Sequence, residues 1–423
     1  MPKKGSLLLA ADPKVATLPG PPVHRCSRPL RSWRCLLSRA LGVATLAAAV
    51  SACGSSTPAA NSQTAGPVVR SALATSTETA AGTWVTVPMG HLDQPLNTFW
   101  QLFYRPAGAK AWSNQASALA VATNGGIVVS SDGAASIVVG IRPTNYLGFS
   151  PLIATFDARS WSPESPIGAL VDVPDSLALG SGGDALALVS NGKASELVSR
   201  RGSLGRWRTL ATMSGLASSR AGRACGMASL SAVGYLGADA LVGAACRRAG
   251  AIGLFTPAGG SWRGAGLVVP SGLHSSGSDV LGFAVTTDGL CALVELTVTT
   301  STDLIGECAS DGGSSWRVSG VLPVKGSTAS VSLGPTAGVG MFALVTASSK
   351  PARLVVLTAS DMEWTELASP PAGTATVAFA GGGGVDALAV NDTLFTDWRL
   401  RRDGRGWQSR QRIRVPIEFG SSS

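Results

Sequence analysis

An all-β fold is what the sequence predicts, on three observations. Glycine is abundant where charge and aromatics are sparse, seven tryptophans recur behind turns at a nearly regular interval, and a second apolar landmark falls between them. Glycine numbers 52, while charged residues make up 14% and aromatics 6%, a balance that favours short apolar strands joined by glycine turns over charged, helix-rich bundles. The tryptophans are Trp112, Trp161, Trp207, Trp262, Trp316, Trp364 and Trp407, spaced 49, 46, 55, 54, 48 and 43 residues apart.

Each of these tryptophans follows a β-rich run and a polar or glycine-containing turn. The runs are WQLFYRP, PLIATFD, SELVSRR, IGLFTP, LIGECASD, RLVVLTASD and TLFTDWRLRRD. Midway through most units, glycines precede a short Ala-Leu strand, as in GDALAL from Gly183, GADALV from Gly237, GLCAL from Gly289, GMFAL from Gly340 and GVDALAV from Gly384. Upstream of these lie further apolar segments: SLALG, SAVGYLG, VLGFAV, SVSLG and TVAFAG. The unit therefore reads as four strands in roughly 45 to 55 residues, the period of a β-propeller blade. One such sheet cannot bury both faces alone, whereas blades stacked around an axis bury each face against a neighbour. Strands rich in Ala and Gly suit the crowded centre, and tryptophan suits the wider periphery.

Counting tryptophans gives seven four-stranded blades, with six or eight left open. Paired β-sandwiches are the competing fold, although sandwiches require no fixed Trp-turn period. The first unit is irregular, since Trp84 and Trp112 are only 28 residues apart, so TWVTVP is expected to close the ring beside the last blade.

The net charge of +9 is concentrated at one end. Residues 1–52 hold eight Lys and Arg against Asp12 alone, leaving +2 for the rest, and a nucleic-acid partner is not expected. Arg25 to Arg39 form a basic region ahead of the uncharged run ALGVATLAAAV, which is too short to span a bilayer as a helix and suits a signal-peptide core. The following Val50, Ser51, Ala52 and Cys53 resemble a bacterial lipobox. That resemblance implies diacylation of Cys53, including a palmitate-type chain, and cleavage before it. Two acyl chains suffice for stable anchoring. The Pro- and Lys-rich stretch ahead of the signal reads as an over-long start, with translation beginning near Val23.

Residues 54–82 hold few large apolar residues and no period, and read as a flexible tether. The expected domains are a signal peptide over 1–52, a lipidated cysteine and tether over 53–82, and a propeller over 83–420.

The stretch ASDGGSSW, from Ala309 to Trp316, is the clearest turn. Asp311 can bond its own backbone two residues on, and Gly312 and Gly313 can take positive φ. With Asp311, Gly313, Ser315 and Trp316 in register, it resembles the Asp-box, or BNR, repeat of sialidase-like propellers, departing at Ala309. The other units keep the tryptophan and some of the glycine. In that family the Asp box is a structural turn remote from the ligand face, so the resemblance implies fold and not chemistry.

Sialidases use three arginines, a tyrosine paired with a glutamate, and an aspartate. Only Tyr104, Tyr146 and Tyr235 are available here. Tyr104, Arg105 and Pro106, like Arg142 and Pro143, resemble the family's arginine segment only in part, and read as strand-end arginines in solvent. A generic glycosidase would need two facing carboxylates. Asp157, Glu164, Asp172, Asp175 and Asp184 sit mostly beside Pro or Gly and read as turn residues. No catalytic residue is assigned.

Four mature cysteines besides Cys53 allow three connectivities. Export favours oxidation, and the pairs Cys225–Cys246 and Cys291–Cys308 are expected, each on neighbouring strands of one blade. Neither a metal nor a cofactor is expected, the histidines being only His24, His91 and His274. The last strand alternates Arg410, Arg412 and Arg414 with Ile413, Val415 and Ile417. This reads as a charge-protected edge strand, or as a contact for anionic lipid or envelope polymers. The expected function is a lipid-anchored binding or scaffold protein on the extracytoplasmic face of the cell membrane. Its partners would be the membrane, through the lipid, and an envelope protein or glycan. The alternative is a carbohydrate-active hydrolase of sialidase-like build.

Overall fold

A computed structural model describes residues 68–91, 98–115, 122–144, 148–156, 160–190, 194–267, 269–270, 272–286, 289–298, 301–310, 315–324, 328–336, 340–347, 350–380 and 384–416. The chain is built from antiparallel meanders of four consecutive strands, here labelled A (75–114), B (122–164), C (176–212), D (227–264), E (277–324), F (328–366) and G (374–414); in E the outer edge is split into two short strands, Arg317–Val318 and Leu322–Val324. D and E share one sheet through the single pair Cys246 and Ser278.

The apolar segments and Ala-Leu landmarks noted in the sequence form first and second strands. The β-rich runs form third strands, and each ladder tryptophan opens or immediately flanks a short fourth strand. Three of these indoles fasten neighbouring meanders. Trp316 donates to the Ala265 carbonyl at 2.9 Å, Trp364 to that of Gly320 at 3.0 Å, and Trp407 to that of Ser369 at 2.9 Å. Each acceptor lies just past the fourth strand of the preceding meander.

The first strands form a closed ring. Each contacts the next from A through G, and that of G, Thr374–Ala380, contacts that of A, Thr75–Thr79. The apolar clusters repeat the same circuit between sheets. Trp84 and Leu102 of A pack with Val138 and Leu152 of B, Phe342 and Leu344 of F pack with Val377 and Phe379 of G, and Leu388 and Phe395 of G pack with Val85 and Phe103 of A. This is a β-propeller, and the ring removes the paired-sandwich alternative.

The crowding expected at the centre is real. A Cβ on Gly234 would lie 2.9 Å from the Phe283 ring, and one on Gly282 would lie 2.8 Å from Leu333. Glycine in one inner strand thus admits a large side chain from the next.

Two expectations at the ends need correction. TWVTVP lies in Gly82–Gly90, the second strand of A, and pairs with Thr98–Pro106 of the same meander. The ring closes through one backbone bond, from the Gly90 amide to the Asp392 carbonyl at 3.0 Å, and through side chains. Phe103 stacks on Phe395, with centroids 4.0 Å apart. Gln411 accepts from the Trp112 amide at 2.7 Å and donates to the Trp112 carbonyl at 3.0 Å, so that an amide side chain imitates a strand partner.

The second correction concerns the tether, which was expected to run to residue 82. Val68–Ser71 forms a strand parallel to Thr328–Pro335, the inner strand of F, and Thr75–Thr79 is the inner strand of A. These strands mix small polar and β-branched residues, and among the described residues only Val69 and Ala74 of the segment join the apolar clusters. Composition therefore read them as linker.

Both disulfides form as paired. Cys291 and Cys308 face each other on adjacent strands, with Cα atoms 4.1 Å apart. Cys225 differs from expectation. It ends a short helix, Arg220–Cys225, which follows another, Met213–Ser218, and bonds Cys246 on the second strand of D. Thr212 and Ser219 cap these helices, accepting from Gly215 and Gly222 at 3.1 and 3.0 Å.

Candidate functional site

All inner strands run the same way along the axis, which gives the propeller an entry face, where they begin, and an exit face, where they end. At the exit face the strand ends surround a cavity of about 1050 Å³. Its wall includes Glu78, Tyr235 and Lys110, and three arginines, Arg105, Arg399 and Arg410.

The arginines converge on one carboxylate. Asp386, on the second strand of G, has no solvent exposure. Arg105, from the third strand of A, bonds its Oδ2. Arg399, directly across the sheet of G, bonds it in bidentate fashion through Nε to Oδ1 and through Nη2 to Oδ2, the latter at 2.8 Å. Arg410 stands 3.9 Å away. Pairing passes from Asp397–Gln411 to Trp398–Ser409, which leaves Arg410 as the extra residue of a bulge. A bulge can re-aim a side chain; Arg410, Arg412 and Arg414 are all exposed, and Arg410 reaches within 3.9 Å of Asp386.

Arg105 is 3% exposed, so its reading as a solvent-facing arginine is overturned. Burial is tolerated because the guanidinium meets Asp386 and lies over the Trp112 ring, 4.5 Å from its centroid. Among the described residues its Nη2 has no hydrogen-bond partner. Asp397, fully buried in the same interface, has no partner on either oxygen. Burial, then the charge of Asp386, pushes its carboxyl up to about 6, against the pull of the three arginines. Burial likewise raises Glu78 to about 7, although Arg105 opposes it.

The same construction recurs between B and C. Arg200 bonds Glu164 at 2.8 Å and lies 5.5 Å from the Trp207 centroid. Glu164 is therefore an interface ion-pair partner and not only a turn residue. Arg105 and Arg200 each precede a ladder tryptophan by seven positions. That repeated spacing is the sequence signal that could have marked both. Asp184 and Asp172 do fasten local backbone, accepting from Gly202 and Val173, each at 2.7 Å. Asp175 accepts from Ser190.

Tyr235 borders the cavity, its phenol pushed up first by burial and then by Asp184. Tyr104 is spent on the Ala81 carbonyl at 2.7 Å. Asp132, also on the rim, accepts from the Ala134 and Ala135 amides at 2.9 and 2.7 Å and so holds its own turn. Among the described residues no group of three or more His, Cys, Asp or Glu is placed to hold a metal. Cys53, Asp311 and Gly313 lie outside the described residues, as do Asp157 and the Arg142 side chain. Trp316 serves as the fastener described above. The arrangement is suited to receiving an anionic group: three cations meet one buried, fully paired carboxylate, and Arg399 and Arg410 keep 29% and 25% of their side chains exposed.

No family model matches the chain, and no curated protein does. Among solved structures it is similar to the periplasmic gluconolactonase of Pseudomonas aeruginosa, at 12% identity over 78% of this chain and 96% of that one, with a TM-score of 0.47. It is also similar to a GH74 xyloglucanase from Xanthomonas campestris, at 13% identity over 82% of this chain and 55% of that one, TM-score 0.48. A six-bladed fungal lectin from Aleuria aurantia matches at 13% identity over 84% and 97%, TM-score 0.39. The propeller assignment rests on the closed ring of inner strands itself.

Proposed function

We propose that this chain is a lipid-anchored, extracytoplasmic β-propeller that binds an anionic ligand in the exit-face cavity. The lipobox-like Val50–Cys53 supports the anchor and the location at the cell envelope, and the tryptophan ladder is taken as the remnant of an Asp-box array. The observation that carries the binding reading is the convergence of Arg105, Arg399 and Arg410 on Asp386 at the cavity wall, with a buried guanidinium nitrogen left over. An acidic saccharide or an acidic segment of an envelope protein has the required chemistry.

A second reading, a carbohydrate-active hydrolase, is favoured by Glu78 alone, whose carboxyl at about 7 would suit a general acid. Among the described residues of the cavity wall the second carboxylate, Asp132, is committed to its turn. Calorimetric titration with glucuronate-bearing and neutral oligosaccharides tests the first reading. Acidic ligands should bind, and Arg410→Ser should weaken them more than about tenfold, the range for a charged hydrogen bond. Equal binding of neutral and acidic sugars would sink it. Release of an aryl leaving group from aryl glycosides, lost in Glu78→Gln, would move the assignment to the hydrolase. Crosslinking from the native envelope would identify a protein partner.

A further inference from the structure

The face opposite the cavity carries its own chemistry, and it is the face to which the N-terminal chain leads. Val68 pairs with Thr328, the first residue of the inner strand of F, and the two strands run parallel. Val68 therefore lies at the entry face, fifteen residues after Cys53. Ser71 is held there by its hydroxyl on the Leu281 carbonyl at 2.8 Å, and the Ala72 amide by the Val331 carbonyl at 2.7 Å. The direction in which the chain leaves the propeller is thus fixed by sheet pairing.

The two short helices between C and D lie at the same face, because they connect the end of a fourth strand to the start of an inner one. The second strand of D, Asp239–Cys246, also ends there. The Cys225–Cys246 disulfide ties the helix end to that strand end. Beside it, the Arg248 amide donates to the Cys225 carbonyl and the Arg247 amide to that of Gly226, each at 3.1 Å. These bonds bring Arg220 and Arg223 of the helix together with Arg247 and Arg248. All four are exposed. Arg223 also donates to the Ser218 carbonyl at the end of the first helix, while the structure shows no ion pair for any of the four among the described residues.

We infer that the entry face docks on anionic lipid headgroups through Arg220, Arg223, Arg247 and Arg248, so that the cavity points away from the membrane. The inference rests on the lipid-anchored reading for its tether. Fifteen residues as coil span about 20 Å, short enough to keep the face from which they leave near the bilayer. Arginine adjacent to a negative surface is attracted within about a Debye length, which would give the anchored propeller a fixed orientation. This assigns the lipid contact to the arginines beside meander D; Arg414, which ends the fourth strand of G, lies towards the same face but on another meander.

The test uses the mature chain purified from its envelope and inserted into vesicles of phosphatidylcholine with or without phosphatidylglycerol. Fluorophores are placed at Ser218→Cys, beside the arginines, and at Lys110→Cys, on the cavity rim, and are read against a headgroup-bound quencher. At low salt with phosphatidylglycerol, the label at 218 should be quenched several-fold more than the label at 110. Replacing all four arginines with Ser, or raising salt to about 0.5 M without any substitution, should remove most of that difference. Arg412→Ser with Arg414→Ser should leave it unchanged. Equal quenching at the two sites, or a difference indifferent to the four substitutions and to salt, overturns the inference. Mass analysis of the N-terminal peptide reads the lipid on Cys53 separately. If it is absent, the same labelled chain is added to the vesicles from solution, where preferential quenching at 218 still supports the docking face and its absence still overturns it.

Discussion

The G–A interface and the D–E interface solve the same problem, holding adjacent sheets of a ring, with opposite chemistry. Between D and E the chain is continuous, the two meanders share a sheet through Cys246 and Ser278, and each carries a disulfide. Between G and A no covalent continuity exists, and the contact is made by Arg105, Asp386, Asp397, Arg399 and Gln411 around stacked Phe103 and Phe395. Covalent staples stabilise by limiting the unfolded chain, whatever the local polarity. A buried ion cluster works only while every member is in place. Neither disulfide joins one meander to the other, and Cys291 stands two residues from Gly289 on the cavity wall. The contrast is one of chemistry: D and E are each tied covalently, whereas the G–A seam depends on a charge cluster whose arginines would meet ligand.

The largest effect should come from removing the shared carboxylate. Asp386→Ala leaves three guanidinium groups without their counter-charge and should cost about 3–5 kcal/mol in denaturant titration. A loss near 1 kcal/mol would mean that closure depends on the phenylalanine stack instead. Next, replacing Cys291 and Cys308 together with Ser should cost about 3 kcal/mol in the chain-entropy account, with ligand affinity unchanged. A parallel loss of affinity would show that the two interfaces are coupled.

The G–A side should also respond to pH. Asp397 has a native value of about 6 against 3.8 for the ordinary group, so the native state holds a proton that the unfolded chain has released. Its contribution then raises stability as pH falls from about 7 towards 4, by an amount on the order of 2 kcal/mol. Glu78 and Glu295, each raised to about 7, act in the same direction. Asp397→Asn should be more stable than the parent at pH 7 and show a shallower slope, which melting temperatures across that range would read. The smallest effect belongs to Gln411→Ala, expected to cost about 1 to 2 kcal/mol through two lost backbone contacts. A far larger loss would make that amide, and not the ion cluster, the principal clasp.

Much of the fold was legible. The tryptophans, the Ala-Leu landmarks and the glycines report local geometry, since each strand must alternate and each turn needs residues that tolerate it. The disulfide pairing was legible for the same reason, because a cysteine pair within one hairpin must lie close, although the helix carrying Cys225 was missed. The site was far less so. Arg105 looked like an exposed strand end, and Arg410 like one of three equivalent edge arginines, because nothing within ten residues of either announces Asp386. The strands from Val68 to Thr79 passed for linker because they mix small polar and β-branched residues and give little to the apolar clusters.

What the sequence determined by itself was the repeat: strand after strand, each with a partner a few residues away, paired by short-range backbone bonds. What only the tertiary structure decided was how the repeat closes and what its closure creates. Arg105 and Asp386 are 281 residues apart. They meet because stacked sheets must bury both faces around an axis until the last finds the first. The charge cluster at that seam, and the direction in which the N-terminal strand leaves the ring, follow from that closure; the Arg-to-Trp spacing marks Arg105 but nothing local marks its partner.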